Sequence, residues 1–133
     1  MRAIIADTTP LYALSDPDDQ YHQQAQTDLQ QINEAKLSII LPYPIYLETH
    51  KLILQRLGIQ QALQFARDIQ QSTNLINARD DDYQAAVRLM ERFPDQTITI
   101  FDAVTAILVQ QMQVPVWTYD YHFDIMSVTV WRT

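Results

Sequence analysis

The chain contains no cysteine and only one glycine, Gly58, in 133 residues. Without thiols there is no disulfide framework, no thiolate zinc site and no cysteine nucleophile, a composition that suits the cytosol. A lone glycine excludes glycine-rich phosphate loops, the P-loop and the dinucleotide fingerprint among them. Positive charge is scarce as well. Nine Lys and Arg stand against sixteen Asp and Glu, a formal net charge of -7, which argues against a broad, sequence-independent grip on phosphate backbones. Any contact with nucleic acid has to be local. No apolar run approaches the ~20 residues that cross a bilayer, and the N-terminus lacks the basic, apolar and small-residue succession of a secretory signal. The expectation is one soluble, cytoplasmic domain spanning residues 1–133, large enough for a real core and with no membrane association.

What the sequence does contain is an alternation of short apolar runs and amphipathic segments. Ala3 to Ala6 is apolar at every position, the pattern of a strand buried on both faces. It stops at Asp7. Thr9 before Pro10 reads as an N-cap, so a short helix over Pro10–Leu14 follows, closed by Ser15-Asp16-Pro17. Asp16 then reads as the N-cap of a second helix whose stripe is Tyr21, Ala25, Leu29 and Ile32. Leu37–Leu41 is the second strand candidate, ended by Pro42 and Pro44. Helices are expected over Ile45–Leu57, Ile59–Gln71 and Asp80–Arg92, with a brief third strand at Leu75 and Ile76. Ala103–Met112 is a nearly all-apolar helix, Val114–Tyr119 a fourth strand and Ser127–Trp131 a final strand at the sheet edge. This order predicts an α/β fold, a three-layer α/β/α sandwich around a mainly parallel sheet.

Four carboxylates fall at or near element boundaries: Asp7 after the first strand, Glu48 early in a helix, Asp102 opening the buried helix and Asp120 after the fourth strand. In parallel α/β sheets the C-terminal edge of the strands is where ligands bind. Carboxylates gathered there without countercharge repel, and a hard divalent cation resolves the repulsion. Oxygen ligands without His or Cys select magnesium or manganese over zinc, and such ions suit in-line hydrolysis of a phosphodiester. Each acid also has a plainer reading: Asp7 and Asp102 as helix caps, Glu48 as a favourable charge near a helix start, Asp120 as a turn cap. Asp80-Asp81-Asp82 fits a solvated first helical turn. His22, His50 and His122 read as surface groups or as groups behind the site. No activating histidine accompanies a serine or threonine, which disfavours acyl transfer.

Asp7-Thr8, the run Ala13-Leu14-Ser15-Asp16-Pro17-Asp18-Asp19 with His22, Tyr46-Leu47-Glu48-Thr49, Phe101-Asp102-Ala103 and Thr118-Tyr119-Asp120-Tyr121-His122-Phe123 together resemble a PIN domain, most nearly the small VapC-type toxins of toxin-antitoxin pairs. The resemblance covers essentially the whole chain. It implies a Mg2+- or Mn2+-dependent endoribonuclease, often a homodimer, whose RNA-cutting groove is blocked by a cognate antitoxin protein. Asp7, Glu48 and Asp102 match the family's three most regular acids and Asp120 its fourth, as metal-holding catalytic groups. Thr118 matches the hydroxyl residue that orients the site, and Thr8 the hydroxyl residue beside the first acid. Asp124 could supplement Asp120, while Lys51 and Arg56 are the candidate cations facing RNA. The chain departs from the family at bulky Phe101 and in the glycine-free loop Phe93–Thr97, both of which bear on groove width.

Other functions stay open at this level. A PIN-like scaffold that binds protein or RNA without cutting is the alternative from a non-enzyme class. A haloacid-dehalogenase-like phosphatase needs a second aspartate two residues after the first, where Thr9 stands. A response-regulator receiver needs a late lysine, and none follows Lys51.

Overall fold

In the computed structural model, which describes residues 2–132, the first apolar run is strand β1 (Ala3–Ala6), every residue of it buried. Full burial contributes about 1.5–3 kcal/mol for each large aliphatic side chain, and β1 places two, Ile4 and Ile5, at 0 % exposure. Their side chains point to opposite faces because successive strand residues alternate. Ile5 joins one apolar cluster, and Ile4 and Ala6 join another. One strand therefore serves two cores, which makes three layers.

β1 pairs in parallel with β2 (Ser38–Pro42) on one side and with β4 (Val116–Trp117) on the other, and β2 pairs in parallel with β3 (Asn74–Ile76). The sheet order is β3-β2-β1-β4. The first two crossovers build outward from β1 in one direction, and the third returns across it to place β4 on the far side. The order thus reverses between β1 and β4, the switch point where open α/β sheets leave a crevice at the strands' C-terminal ends. Asp7 follows β1 and Asp120 follows β4, so the chain's topology brings both to that crevice.

Helices α1 (Thr8–Ser15), α2 (His22–Glu34), α3 (Tyr43–Leu57) and α4 (Ile59–Ser72) cover the Ile4 face, through side chains such as Leu11, Ala25, Ile45 and Phe65. Helices α5 (Asp80–Glu91), α6 (Ile100–Met112) and α7 (His122–Ile125) cover the Ile5 face, through Leu89, Val104, Leu108 and Phe123. Gly58 links α3 to α4 at φ +98°. Its Cβ would meet no atom, so the glycine is required by backbone conformation alone.

Several local expectations are corrected. α1 begins at Thr8, with Asp7 in the cap position and Pro10 inside the first turn, where a missing N–H removes no helical bond. Asp16 does not start α2. Its Oδ1 accepts from Asp18 N at 3.0 Å and its Oδ2 from the Tyr12 hydroxyl at 2.7 Å, which fixes a turn, and the helix waits until His22. Pro42 closes β2 rather than following it, so α3 opens at Tyr43. α6 opens at Ile100, making Asp102 its third residue. The fourth strand shortens to two residues, and the expected strand over 127–131 is a single parallel bridge, Val116 to Val130. Ser127, at φ +61°, turns the chain just before it.

Candidate active site

Asp7 occupies the cap position of α1 but makes no side-chain cap. At 2 % exposure its carboxylate points into the crevice, where Oδ2 accepts from Thr118 Oγ1 at 2.7 Å and Oδ1 has no partner among the described residues. An orphaned buried carboxylate oxygen is costly, and its position at the switch point is the first sign of a site. Thr118 also accepts from Asp120 N at 3.0 Å, so a single hydroxyl sets the positions of two acids. On the other side, Thr8 donates to Glu48 Oε1, and buried Thr49 donates to Thr8 Oγ1 at 3.3 Å. α3 delivers Glu48 from its second turn.

Asp102 belongs to a capping box. Thr99 Oγ1 accepts from Asp102 N at 3.2 Å, and Asp102 Oδ2 accepts weakly from Thr99 N at 3.4 Å. The capping reading is therefore realised for Asp102, and it engages one oxygen of the carboxylate only. Asp102, Asp120 and His122 each offer a ligand atom, and these atoms lie within 4.8 Å of one another. His122 stands with Nδ1 2.9 Å from Asp120 Oδ1, yet neither ring nitrogen makes a hydrogen bond. The imidazole was expected at the surface or behind the site. It is 9 % exposed and lies beside the acids.

Asp7 and Glu48 lie outside that group of three and are coupled to its acids through charge. Burial pushes the Asp7 carboxyl up from 3.8 to about 7; the Thr118 hydrogen bond opposes this, and the charges of Asp102 and Glu48 add to it. Glu48 is raised by burial and by Asp102 and Asp120. Asp102 is raised by burial and then by Asp120, with a small opposing effect from His122. No lysine or arginine forms an ion pair with any of the four among the described residues. The arrangement is an anionic centre, buried at Asp7 and Asp102 and half-buried at Glu48 and Asp120, with no lysine or arginine paired to it among the described residues.

The remaining candidates fall outside this centre. Arg56 lies two turns along α3 from Glu48, its guanidinium 5.1 Å from the centroid of the Tyr12 ring. Lys51 is exposed on α3. Asp124 is exposed and bound to Arg132 Nη2 at 2.8 Å. Two residues were missed. Thr9 Oγ1 accepts from Tyr119 N at 2.9 Å and lies 3.3 Å from Thr118 Oγ1, tying α1 to the β4 loop. Asp28 is buried in α2 and accepts from Tyr119 and Trp117. The signal for Asp28 was a carboxylate three residues after Ala25 and four before Ile32, on the helix's apolar stripe.

No protein-family model matches the chain, and no curated protein matches it. Solved structures do. VapC20 of Mycobacterium tuberculosis, described as a sarcin-ricin loop cleaving toxin, superposes with a TM-score of 0.86 at 17% identity, covering 98% of this chain and 100% of its own. VapBC2 of Rickettsia felis, solved with a DNA fragment from its promoter, matches at 0.74 and 9% identity over 96% of both chains. FitAcB of Neisseria gonorrhoeae matches at 0.72 and 16% identity, over 97% of this chain and 96% of its own. At such identities the likeness is one of architecture, over nearly the full length: the chain has the PIN-like α/β/α fold of these VapC-type toxins.

Proposed function

We propose that the protein is a Mg2+- or Mn2+-dependent endoribonuclease, the toxin of a type II toxin-antitoxin pair, which hydrolyses RNA phosphodiester bonds in the cytoplasm, forms a homodimer and is restrained by a cognate antitoxin. The observation that carries this reading is Asp7 Oδ1, a buried oxygen without a partner in a carboxyl that the charges of Asp102 and Glu48 act on, with no lysine or arginine ion-paired to these acids among the described residues. The donor set suits a hard divalent ion: carboxylate oxygens on Asp102 and Asp120, which lie within 4.8 Å of each other and of a His122 ring nitrogen, with Asp7 and Glu48 as the further oxygen donors of this reading and no thiolate. When bound, the ion lowers the pKa of a water to make a nucleophile and polarises the phosphoryl oxygen. The chain's own groups hold the geometry. Thr118 fixes Asp7 Oδ2 and accepts from the Asp120 backbone N–H, Thr8 fixes Glu48, and the capping box anchors Asp102 to the start of α6. The fold shared with a loop-cleaving toxin supports the same reading.

The test is cleavage of a panel of structured RNAs. Cutting should require Mg2+ or Mn2+, stop in EDTA, return on adding Mn2+ and fall by at least about a hundredfold in Asp120→Asn, beyond most losses of an outer-shell partner. Cleavage that survives EDTA, or that Asp120→Asn retains, contradicts the reading.

A further inference from the structure

Beside the acidic centre lies a cavity of about 350 Å³ that the carboxylate chemistry does not require. This is within the range of small-ligand pockets, roughly 300–1,000 Å³. Asp28, from α2, lines it and is 4 % exposed. Asp28 Oδ2 accepts from the Tyr119 hydroxyl at 2.6 Å and from Trp117 Nε1 at 3.3 Å. These two donors fix the carboxylate and leave Oδ1 with no hydrogen bond among the described residues. The other carboxylates on the wall, Asp120 and Asp124, are acceptors too, and Arg132, the one lysine or arginine among the described residues of the wall, is already bound to Asp124. A phosphate is repelled by such a wall, whereas a group bringing N–H donors is matched by it.

The remaining surface is aromatic. Tyr121, between the two rim aspartates, is 63 % exposed and lies against the His122 ring with centroids 4.5 Å apart. Trp131 also lines the cavity and is half-buried. Flat faces beside a hydrogen-bonding group are how proteins hold unstacked bases of single-stranded RNA. Among the four bases, guanine alone presents two adjacent donors, N1–H and the 2-amino group, on its Watson–Crick edge. Adenine and cytosine bring one amino group next to a ring acceptor, and uracil one N–H between two carbonyls. Each of these three would turn a lone pair toward Asp28.

We infer that this cavity is a guanine-selecting subsite, with Asp28 accepting from the base edge and Tyr121 and Trp131 supplying stacking surface, so that the adjacent phosphodiester reaches the acidic centre. The inference rests on the ribonuclease reading for the role of the site and on the cavity's own chemistry for its selectivity.

The experiment titrates GMP, IMP, AMP, CMP and UMP into the full chain with Mg2+, followed by tryptophan fluorescence and NMR shifts. GMP should bind at least about tenfold more tightly than AMP, CMP or UMP, which corresponds to about 1.4 kcal/mol. IMP, which lacks only the 2-amino group, should lie between. Tyr121→Ala should weaken all five while keeping their order, and Asp28→Asn should erase the preference. Asp28 is buried, so the GMP-to-IMP ratio in the wild type tests the inference without any variant. Equal affinity for the nucleotides, or a guanine preference that Asp28→Asn retains, overturns the subsite. Divalent-ion uptake measured in the same samples reports on the nuclease reading separately, so the two failures are distinguishable.

Discussion

Asp7→Asn abolishes RNA cleavage while making the metal-free protein harder to unfold. The amide is nearly isosteric and can still accept from Thr118, so the crevice keeps its shape. What disappears is a negative charge that the fold holds at a cost, since burial and the neighbouring acids raise this carboxyl from 3.8 to about 7. Three pKa units at about 1.36 kcal/mol each give about 4 kcal/mol as the upper limit of that cost once the pH exceeds the folded value. A gain of even half of this raises Tm by several degrees, at roughly 2–4 °C per kcal/mol in the larger single domains. Activity moves the other way, by more than the roughly 10–100-fold caused by losing a metal's outer-shell partner. Thermal unfolding in EDTA and a cleavage assay in Mn2+ check the two halves. A structural cap behaves oppositely: its removal costs about 1 kcal/mol and leaves chemistry unchanged.

The second large effect is a pH dependence that divalent cations reverse. A carboxyl whose folded pKa lies above its unfolded value favours the protonated native state. Its contribution to stability is complete below the unfolded value of 3.8 and is lost as the pH rises through about 7. Glu48 and Asp102 are shifted in the same direction. Asp16 and Asp82 are shifted downward, so their contributions vanish only at pH near or below the ordinary carboxylate range. The window between pH 5 and 8 therefore belongs to the acidic centre, and Tm in EDTA should fall across it. Millimolar Mg2+ should raise Tm strongly at pH 8, where the ligands are ionised, and little at pH 5, where the ion has to displace protons. Melting curves on a pH series with Mg2+ or EDTA give the answer. A Tm that rises from pH 5 to 8 without metal, or a Mg2+ increment equal at both ends, contradicts it.

The strands that carry the site were legible because their apolar runs end at carboxylates: Ala3–Ala6 at Asp7, and the run through Val116 and Trp117 shortly before Asp120. Helix starts were less so. Thr9-Pro10 and Asp16-Pro17 both carry strong start signals, yet Asp16 is taken up by Asp18 and Tyr12 in a turn, a long-range choice that local sequence does not encode. The strand expected over 127–131 failed because β4 is two residues long and leaves it little to pair with. Thr118 was singled out for its place two residues before Asp120, and its hydroxyl does connect that residue's backbone to Asp7. His122, expected at the surface or behind the site, stands beside the acids, and Asp28 was not anticipated. Each is a polar residue whose burial depends on an element brought in from elsewhere, α6 for His122 and the Tyr119 loop for Asp28.

The most direct test of the central claim, that these carboxylates form one metal centre, is calorimetric titration of Mn2+ into the metal-stripped wild type and into Asp102→Asn near pH 7.5. Saturable uptake by the wild type, lost in the variant while circular dichroism shows its fold intact, is the predicted result. No uptake by the wild type, or equal uptake by both, would contradict the claim and leave Asp102 as the helix-capping group that its bonds to Thr99 already make it.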